Sequence, residues 1–321
     1  MSSTTSTAPA SPTASRETLA LAGSRSSSWV DRDAYPFQSR WLALPEGRVH
    51  YIDEGSGRGT DDPIVLVHGT PTWSFEYRHL IAGLRPGHRV IALDHLGFGL
   101  SERPAGAAYT PEAHAARFRA FVDGLGLTRF TLVVHDFGGP IALPVALDDP
   151  GRVSRLVVLN SWMWSFAGDP APEMREMARR ARMVSGAFGR FMYRRLNASL
   201  RLVTPSAYGD RRKLTRAIHR QYLAAFPDAD GRERVLWTLA RALLASSAFY
   251  DGLWQRRDRL AAMPALVVWG MKDSAFRPGQ LARWRTALPH ATVVELPAAG
   301  HWPHEEEPAR VLSEVRRFIA T

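Results

Sequence analysis

The sequence predicts an α/β fold: eight strands in a mostly parallel sheet covered by helices, with a helical cap inserted late in the chain. Three observations carry this. Short, fully apolar runs rich in β-branched residues alternate with helix-length segments, the pattern of a parallel sheet buried on both faces. The alternation stops between Ser161 and about Tyr250, where amphipathic helical spacing takes over, and then resumes. Finally, several of the apolar runs end on polar residues at His68, Asp94, Asp136 and Asn160, and ligands of such sheets sit beyond the carboxyl ends of the strands.

Taken in order, Met1 to Ser28 is rich in Ser, Thr, Ala and Pro without apolar periodicity and reads as a disordered tail. Trp41–Leu44 and Arg48–Asp53 are β-rich and, with the Gly55–Gly59 turn, read as an antiparallel hairpin leading into the sheet. Ile64–Val67 and Val90–Leu93 are unbroken apolar strands. A helical pattern over Ala113–Leu125 precedes the strand Thr131–Val134, and Leu156–Leu159 follows. The core therefore spans 29–160 and 251–321, with the cap at 161–250, punctuated by Pro205, Pro227 and Gly231. Ala265–Trp269 and Thr292–Leu296 complete the strands. Glu307–Ala320 closes the chain as a helix, with Val311, Val315, Phe318 and Ile319 at 3.6-type spacing.

Composition narrows the chemistry. The 321 residues are 45% hydrophobic and include no cysteine, so disulfides, thiolate metal sites and a cysteine nucleophile are excluded. No apolar run reaches the roughly 18–20 residues of a membrane span, and the N-terminus lacks the basic start and apolar stretch of a secretory signal. The expectation is a cytoplasmic enzyme with no membrane partner. The formal charge of +10 comes largely from arginines at helical spacing between Arg175 and Arg259. Without a zinc-finger, helix-turn-helix or RNA-binding signature, it reads as a solvated helix face rather than a nucleic-acid site.

The stretch Phe130-Thr-Leu-Val-Val-His-Asp-Phe-Gly-Gly-Pro140 is a buried strand breaking into a glycine-flanked turn and an apolar helix. That is the geometry of a nucleophile elbow, with Asp136 where serine is usual. Two later strand ends carry Asp273, in Gly270-Met-Lys-Asp273, and His301, in Ala299-Gly-His-Trp302. An aspartate at a strand end is ordinarily a turn or cap residue, and a histidine before tryptophan is ordinarily packing. Here elbow, acid and histidine occupy three strand ends in the chain order of the α/β-hydrolase triad. Asp136 is nucleophilic through its carboxylate and needs no base for a first attack. His301 would then take a proton from water, with Asp273 fixing its tautomer. The oxyanion hole would be the backbone N–H groups of Thr70 and Phe137. Asp94 reads as structural, and His95, His135 and His304 as supporting or surface residues.

With these residues in view, the chain resembles the haloalkane dehalogenases and the epoxide hydrolases beside them. The likeness rests on His68-Gly-Thr-Pro-Thr-Trp-Ser74, Asp94-His-Leu-Gly-Phe-Gly-Leu-Ser-Glu-Arg-Pro104, His135-Asp-Phe-Gly-Gly139 and Gly300-His301 with Glu305-Glu306-Glu307. It covers Trp29 to the C-terminus and is weakest in the cap. The resemblance implies an α/β-hydrolase fold, no cofactor or metal, and a small apolar halogenated substrate. Its implied mechanism is displacement of halide by Asp136 to form an alkyl ester, which water activated by His301 hydrolyses.

The sequence departs from that family at the leaving group. Dehalogenases usually place tryptophan after the nucleophile as a halide donor, and this chain has Phe137, which has no side-chain donor. Thr70 stands where many members have asparagine. Trp162 and Trp164, at the start of the cap, are replacement halide-binding candidates together with Thr70, against the plainer reading of cap-to-core packing. An epoxide hydrolase would keep the triad and protonate its substrate with cap tyrosines, of which Tyr193, Tyr208, Tyr222 and Tyr250 are available. Phe137 argues against a fluoroacetate-type enzyme, which would place arginine there. A non-catalytic sensor of small ligands would have no need for the acid and the histidine.

Overall fold

The computed structural model describes residues 28–56 and 62–320. Most of the tail expected over 1–28, and much of the glycine-rich turn expected over 55–59, lie outside the described residues. Eight strands form one sheet: β1 (Ser39–Leu44), β2 (Gly47–Glu54), β3 (Ile64–Val67), β4 (Val90–Leu93), β5 (Phe130–Asp136), β6 (Val153–Ser161), β7 (Ala265–Gly270) and β8 (Thr292–Leu296). Their order is β1-β2-β4-β3-β5-β6-β7-β8. The hairpin closes at Pro45-Glu46, where Leu44 pairs with Gly47 and Ser39 with Ile52, not at the later glycine-rich stretch. β2 joins β4 antiparallel, and every pairing from β4 to β8 is parallel.

The unbroken apolar runs are the strands covered on both faces. All residues of β3, β4 and β5 are buried, which is why these segments show no alternation. β8, at the sheet edge, has a mixed burial pattern. Helices α1 (Arg78–Leu84), α2 (Pro111–Gly124) and α3 (Gly138–Asp148) cover the first half. α2 begins where Thr110 caps the N–H of Ala113 and Pro111 supplies a pre-set first turn. α3 is buried almost throughout, as its sequence GGPIALPVALD requires.

Between β6 and β7 the chain carries α4 (Pro172–Ser185) and α5 (Ala187–Leu196), then helical segments at Thr204–Ala207, Arg216–Ala225, Ala229–Gly231, Thr238–Ala245 and Ser247–Gln255, with π-helical turns at Ser199–Val203 and Arg232–Trp237. The helical run thus starts later than Ser161 and crosses residue 250. Ser161–Trp164 and Phe166 are instead buried against the sheet. After β8, Pro308–Ile319 packs on α1 through Val311, Glu314 and Val315. No helix among the described residues is long and apolar enough to cross a membrane.

Candidate active site

β3 and β5 lie together at the middle of the sheet, in register from Ile64 with Thr131 to Val67 with Val134. The loops following them therefore meet. Asp136 ends β5 with φ of 48°, a left-handed conformation that costs a non-glycine residue energy and holds its side chain out of the sheet. The turn is possible because its neighbours have no side chains. A Cβ on Gly138 would strike the carbonyl of Val67, and one on Gly139 the hydroxyl of Ser161. Ser161 Oγ also donates to the Asp136 carbonyl at 2.6 Å, pinning the turn.

The carboxylate of Asp136 sits between two partners. Its Oδ1 accepts from the backbone N–H of Thr70 at 2.8 Å. Its Oδ2 lies 3.5 Å from His301 Nε2. Phe137 is the N-cap of α3, so its backbone belongs to the helix end whose N–H groups lack intrahelical partners. On its other side, the His301 ring places Nδ1 2.7 Å from Asp273 Oδ2. All three side chains are nearly buried.

Burial in this apolar setting opposes charge on His301, but Asp273, followed by Asp136, outweighs it and the imidazole is pushed up to about 10. Burial likewise opposes the Asp273 carboxylate. The His301 charge and hydrogen bond, with the N–H of Ala275 at 2.7 Å, hold it below the usual carboxylate range. The histidine is thus poised as an imidazolium flanked by two carboxylates.

Sequence reasoning gave Asn160 and Phe276 no role in holding this arrangement, whereas it read Asp94 as structural and His95 and His135 as supporting or surface residues. Asn160 donates to Asp273 Oδ2 at 2.9 Å and accepts from Gly270 N–H at 2.8 Å, from a strained φ of 31°. Its position at a strand end was the available signal. The Phe276 ring stacks on His301 at 5.4 Å and on Trp162 at 5.2 Å. His135 faces the His301 carbonyl at 2.8 Å through Nε2. His95 bonds the His68 backbone and ring, and Asp94 accepts from Ser74 and Leu100 N–H groups.

The halide-binding candidates separate. Trp162 meets the Phe137 ring edge-on at 4.6 Å, and its buried indole N–H has no hydrogen-bond partner. An unpaired buried donor beside the nucleophile is costly unless something accepts from it. The indole N–H of Trp164 is also unpartnered, but that ring packs with Trp254, Trp284 and Arg283. Thr70 is engaged through its backbone. Of the four tyrosines, Tyr193 and Tyr250 feel the Asp136 charge. Burial, aided by that carboxylate, pushes Tyr193 up to about 12, and burial, aided by Glu112 and then Asp136, pushes Tyr250 well above its ordinary value. The Tyr250 hydroxyl is buried without a partner. Tyr208 instead donates to Glu305, and Tyr222 packs on Phe75.

Residues 62–308 match the family described as alpha/beta hydrolase fold. Haloalkane dehalogenase 2 of Mycobacterium tuberculosis strain H37Rv is 38% identical over 287 residues, covering 89% of this chain and 96% of that protein. A cis-3-alkyl-4-alkyloxetan-2-one decarboxylase of Shewanella oneidensis is 31% identical over 293 residues, covering 88% and 89%. The crystal structure of haloalkane dehalogenase DbeA from Bradyrhizobium elkani superposes with a TM-score of 0.77 at 25% identity, covering 88% of this chain and 98% of that one.

Proposed function

We propose, since this chain belongs to the haloalkane dehalogenases of the α/β-hydrolase family, that it is a cytoplasmic enzyme hydrolysing carbon–halogen bonds of small apolar substrates. The observation that carries this is the Asp136 carboxylate, with one oxygen on the Thr70 N–H and the other facing His301.

Oδ2 of Asp136 attacks the carbon bearing halogen, and the bonding pair leaves with the halide. Trp162 donates its free indole N–H to that halide. Alkylation removes the negative charge of Asp136, one of the two carboxylates that hold the proton on His301. The imidazole then releases its proton to solvent as the halide departs and can accept one from water at Nε2. The water oxygen attacks Cγ of the ester, and the oxyanion on Oδ1 is held by the N–H groups of Thr70 and Phe137. Collapse expels the alkoxide, which takes the proton from His301 and leaves as alcohol; the remaining carboxyl proton of Asp136 passes to the imidazole 3.5 Å away, restoring the carboxylate. Asp273 orients the imidazole and Asn160 orients Asp273. The helical segment between β6 and β7 acts as a cap over the reacting carbon.

A second reading is supported by Phe137 and by the nearness of Tyr193 and Tyr250 to Asp136: the same nucleophile opening an epoxide that a tyrosine protonates. One panel separates these readings. Bromoalkanes are assayed by halide release, styrene oxide by diol formation, and a cis-3-alkyl-4-alkyloxetan-2-one by carbon dioxide release. Halide release abolished in Asp136→Ala, with a mass increment equal to the substrate's alkyl group (substrate less halogen) accumulating on His301→Phe, is the expected result. Diol formation without halide release selects the epoxide reading. Absence of all three products, with ligand binding unchanged in His301→Phe, selects a sensor.

A further inference from the structure

Directly behind the candidate triad lies a second cluster that the proposed chemistry does not use: Glu76, His135 and His304, all with no exposed surface. One ligand atom from each lies within 4.8 Å of the others. His135 Nδ1 is 3.1 Å from Glu76 Oε1, and His304 Nε2 is 3.7 Å from that same oxygen. The other oxygen of Glu76 accepts from the Thr72 hydroxyl. Neither ring nitrogen of His304 has a hydrogen-bond partner, although the ring is fully buried against Tyr77.

Hydrogen-bond bookkeeping shows what is missing. His135 Nε2 lies 2.8 Å from the His301 carbonyl, which can only accept, so Nε2 carries the proton. A neutral imidazole then aims its Nδ1 lone pair at a carboxylate oxygen. In that tautomer two acceptors would face each other in a fully buried site, with the unpartnered ring nitrogens of His304 beside them. Such a group calls for a positive centre among the three atoms. The neighbouring Arg78 guanidinium does not supply it, being held in an ion pair with Glu305.

The geometry points to a divalent metal cation of the zinc type bound by Glu76, His135 and His304. Metal–ligand bonds of about 2.0–2.1 Å set tetrahedral ligand–ligand edges of roughly 3.3–3.4 Å, and the two measured edges bracket that value. Two imidazoles and one carboxylate are a donor set that zinc favours. The His135 N–H on the His301 carbonyl is the outer hydrogen bond that orients a metal-bound histidine. The three ligands come from the turn after the Thr70 loop, the residue before Asp136 and the short helix after His301. A cation here ties together the segments that carry the oxyanion donor, the nucleophile and the histidine. Its role is to fix their spacing, not to touch substrate.

The test reads metal content, so it stands apart from the question of which substrate is turned over. Full-length, tag-free protein is produced in zinc-supplemented medium, passed over a chelating resin and analysed by elemental mass spectrometry. About one zinc per chain is expected, with a Tm several degrees above that of protein from zinc-depleted medium. Glu76→Gln and His304→Phe should each lose the zinc, while His290→Ala, at an exposed site, keeps it. Substituting cobalt(II) should give the visible absorption of a tetrahedral ion. Less than about 0.1 zinc per wild-type chain from supplemented medium would overturn the inference and leave a proton as the positive centre.

Discussion

Gly69→Ala is the sharpest test of how the site is built. Gly69 precedes the Thr70 N–H that holds Asp136, and its α-carbon faces the nucleophile side chain. A Cβ there would collide with Cβ and Oδ1 of Asp136 and stand 2.7 Å from its Cγ, against ordinary contact from 3.4 Å. Relief requires roughly 1 Å of movement, by the carboxylate or by the loop carrying Thr70. Misplacing a reacting group by that much costs about 100-fold in rate, equivalent to about 2.7 kcal/mol in the barrier. The collision concerns one side chain at the end of the sheet, so the sheet itself should remain. The assay is steady-state halide release from a bromoalkane, with circular dichroism and Tm measured in parallel. A fall of about 100-fold in kcat/KM with a native spectrum is expected. Activity within a few-fold of wild type would show that the nucleophile is not held against this loop and refute the argument.

Three further outcomes follow from the same contacts. Asn160→Ala removes a buried donor from the Asp273 carboxylate; it should cost about 1–3 kcal/mol of stability, seen as a lower Tm, and lower kcat more than it alters KM. Trp162→Phe keeps the ring stacking but deletes the free N–H, so halide inhibition and halide-dependent fluorescence quenching should weaken about tenfold, while Trp164→Phe leaves both unchanged. The pH dependence of stability has a fixed sign. The folded state raises His301 to about 10 from 6.5, so its stabilisation is complete below about pH 6.5 and lost as pH rises through about 10. Tm should fall across that window, and fall less in Asp273→Asn; a flat Tm in the wild type contradicts the imidazolium assignment.

The parts of the molecule that could be read from sequence are those in which one short segment carries the whole signal. Ile64–Val67 and Val90–Leu93 have the bounds of β3 and β4, because a strand buried on both faces writes itself as an unbroken apolar run. The elbow was legible for the same reason, since strand, turn and glycines are contiguous. Asn160 was not, because an amide at a strand end looks like any turn residue until its partner 113 positions away is placed beside it. The Glu76, His135 and His304 cluster was hidden by its spread over three distant segments, which follow or end β3, β5 and β8 and meet only at the edge of the folded sheet. The boundaries of the inserted segment blurred because Trp162, Trp164 and Phe166 are apolar for packing against the sheet, not for helix periodicity.

The edge-on contact of Phe137 with Trp162 separates two properties that a tryptophan next to the nucleophile would bind into one turn. The attacking carboxylate is anchored in the rigid centre of the sheet, whereas the free indole N–H enters from the strand end that leads into the insertion. Under the halide role proposed for Trp162, a change at the start of the insertion would alter leaving-group preference while the Asp136 carboxylate stays in place.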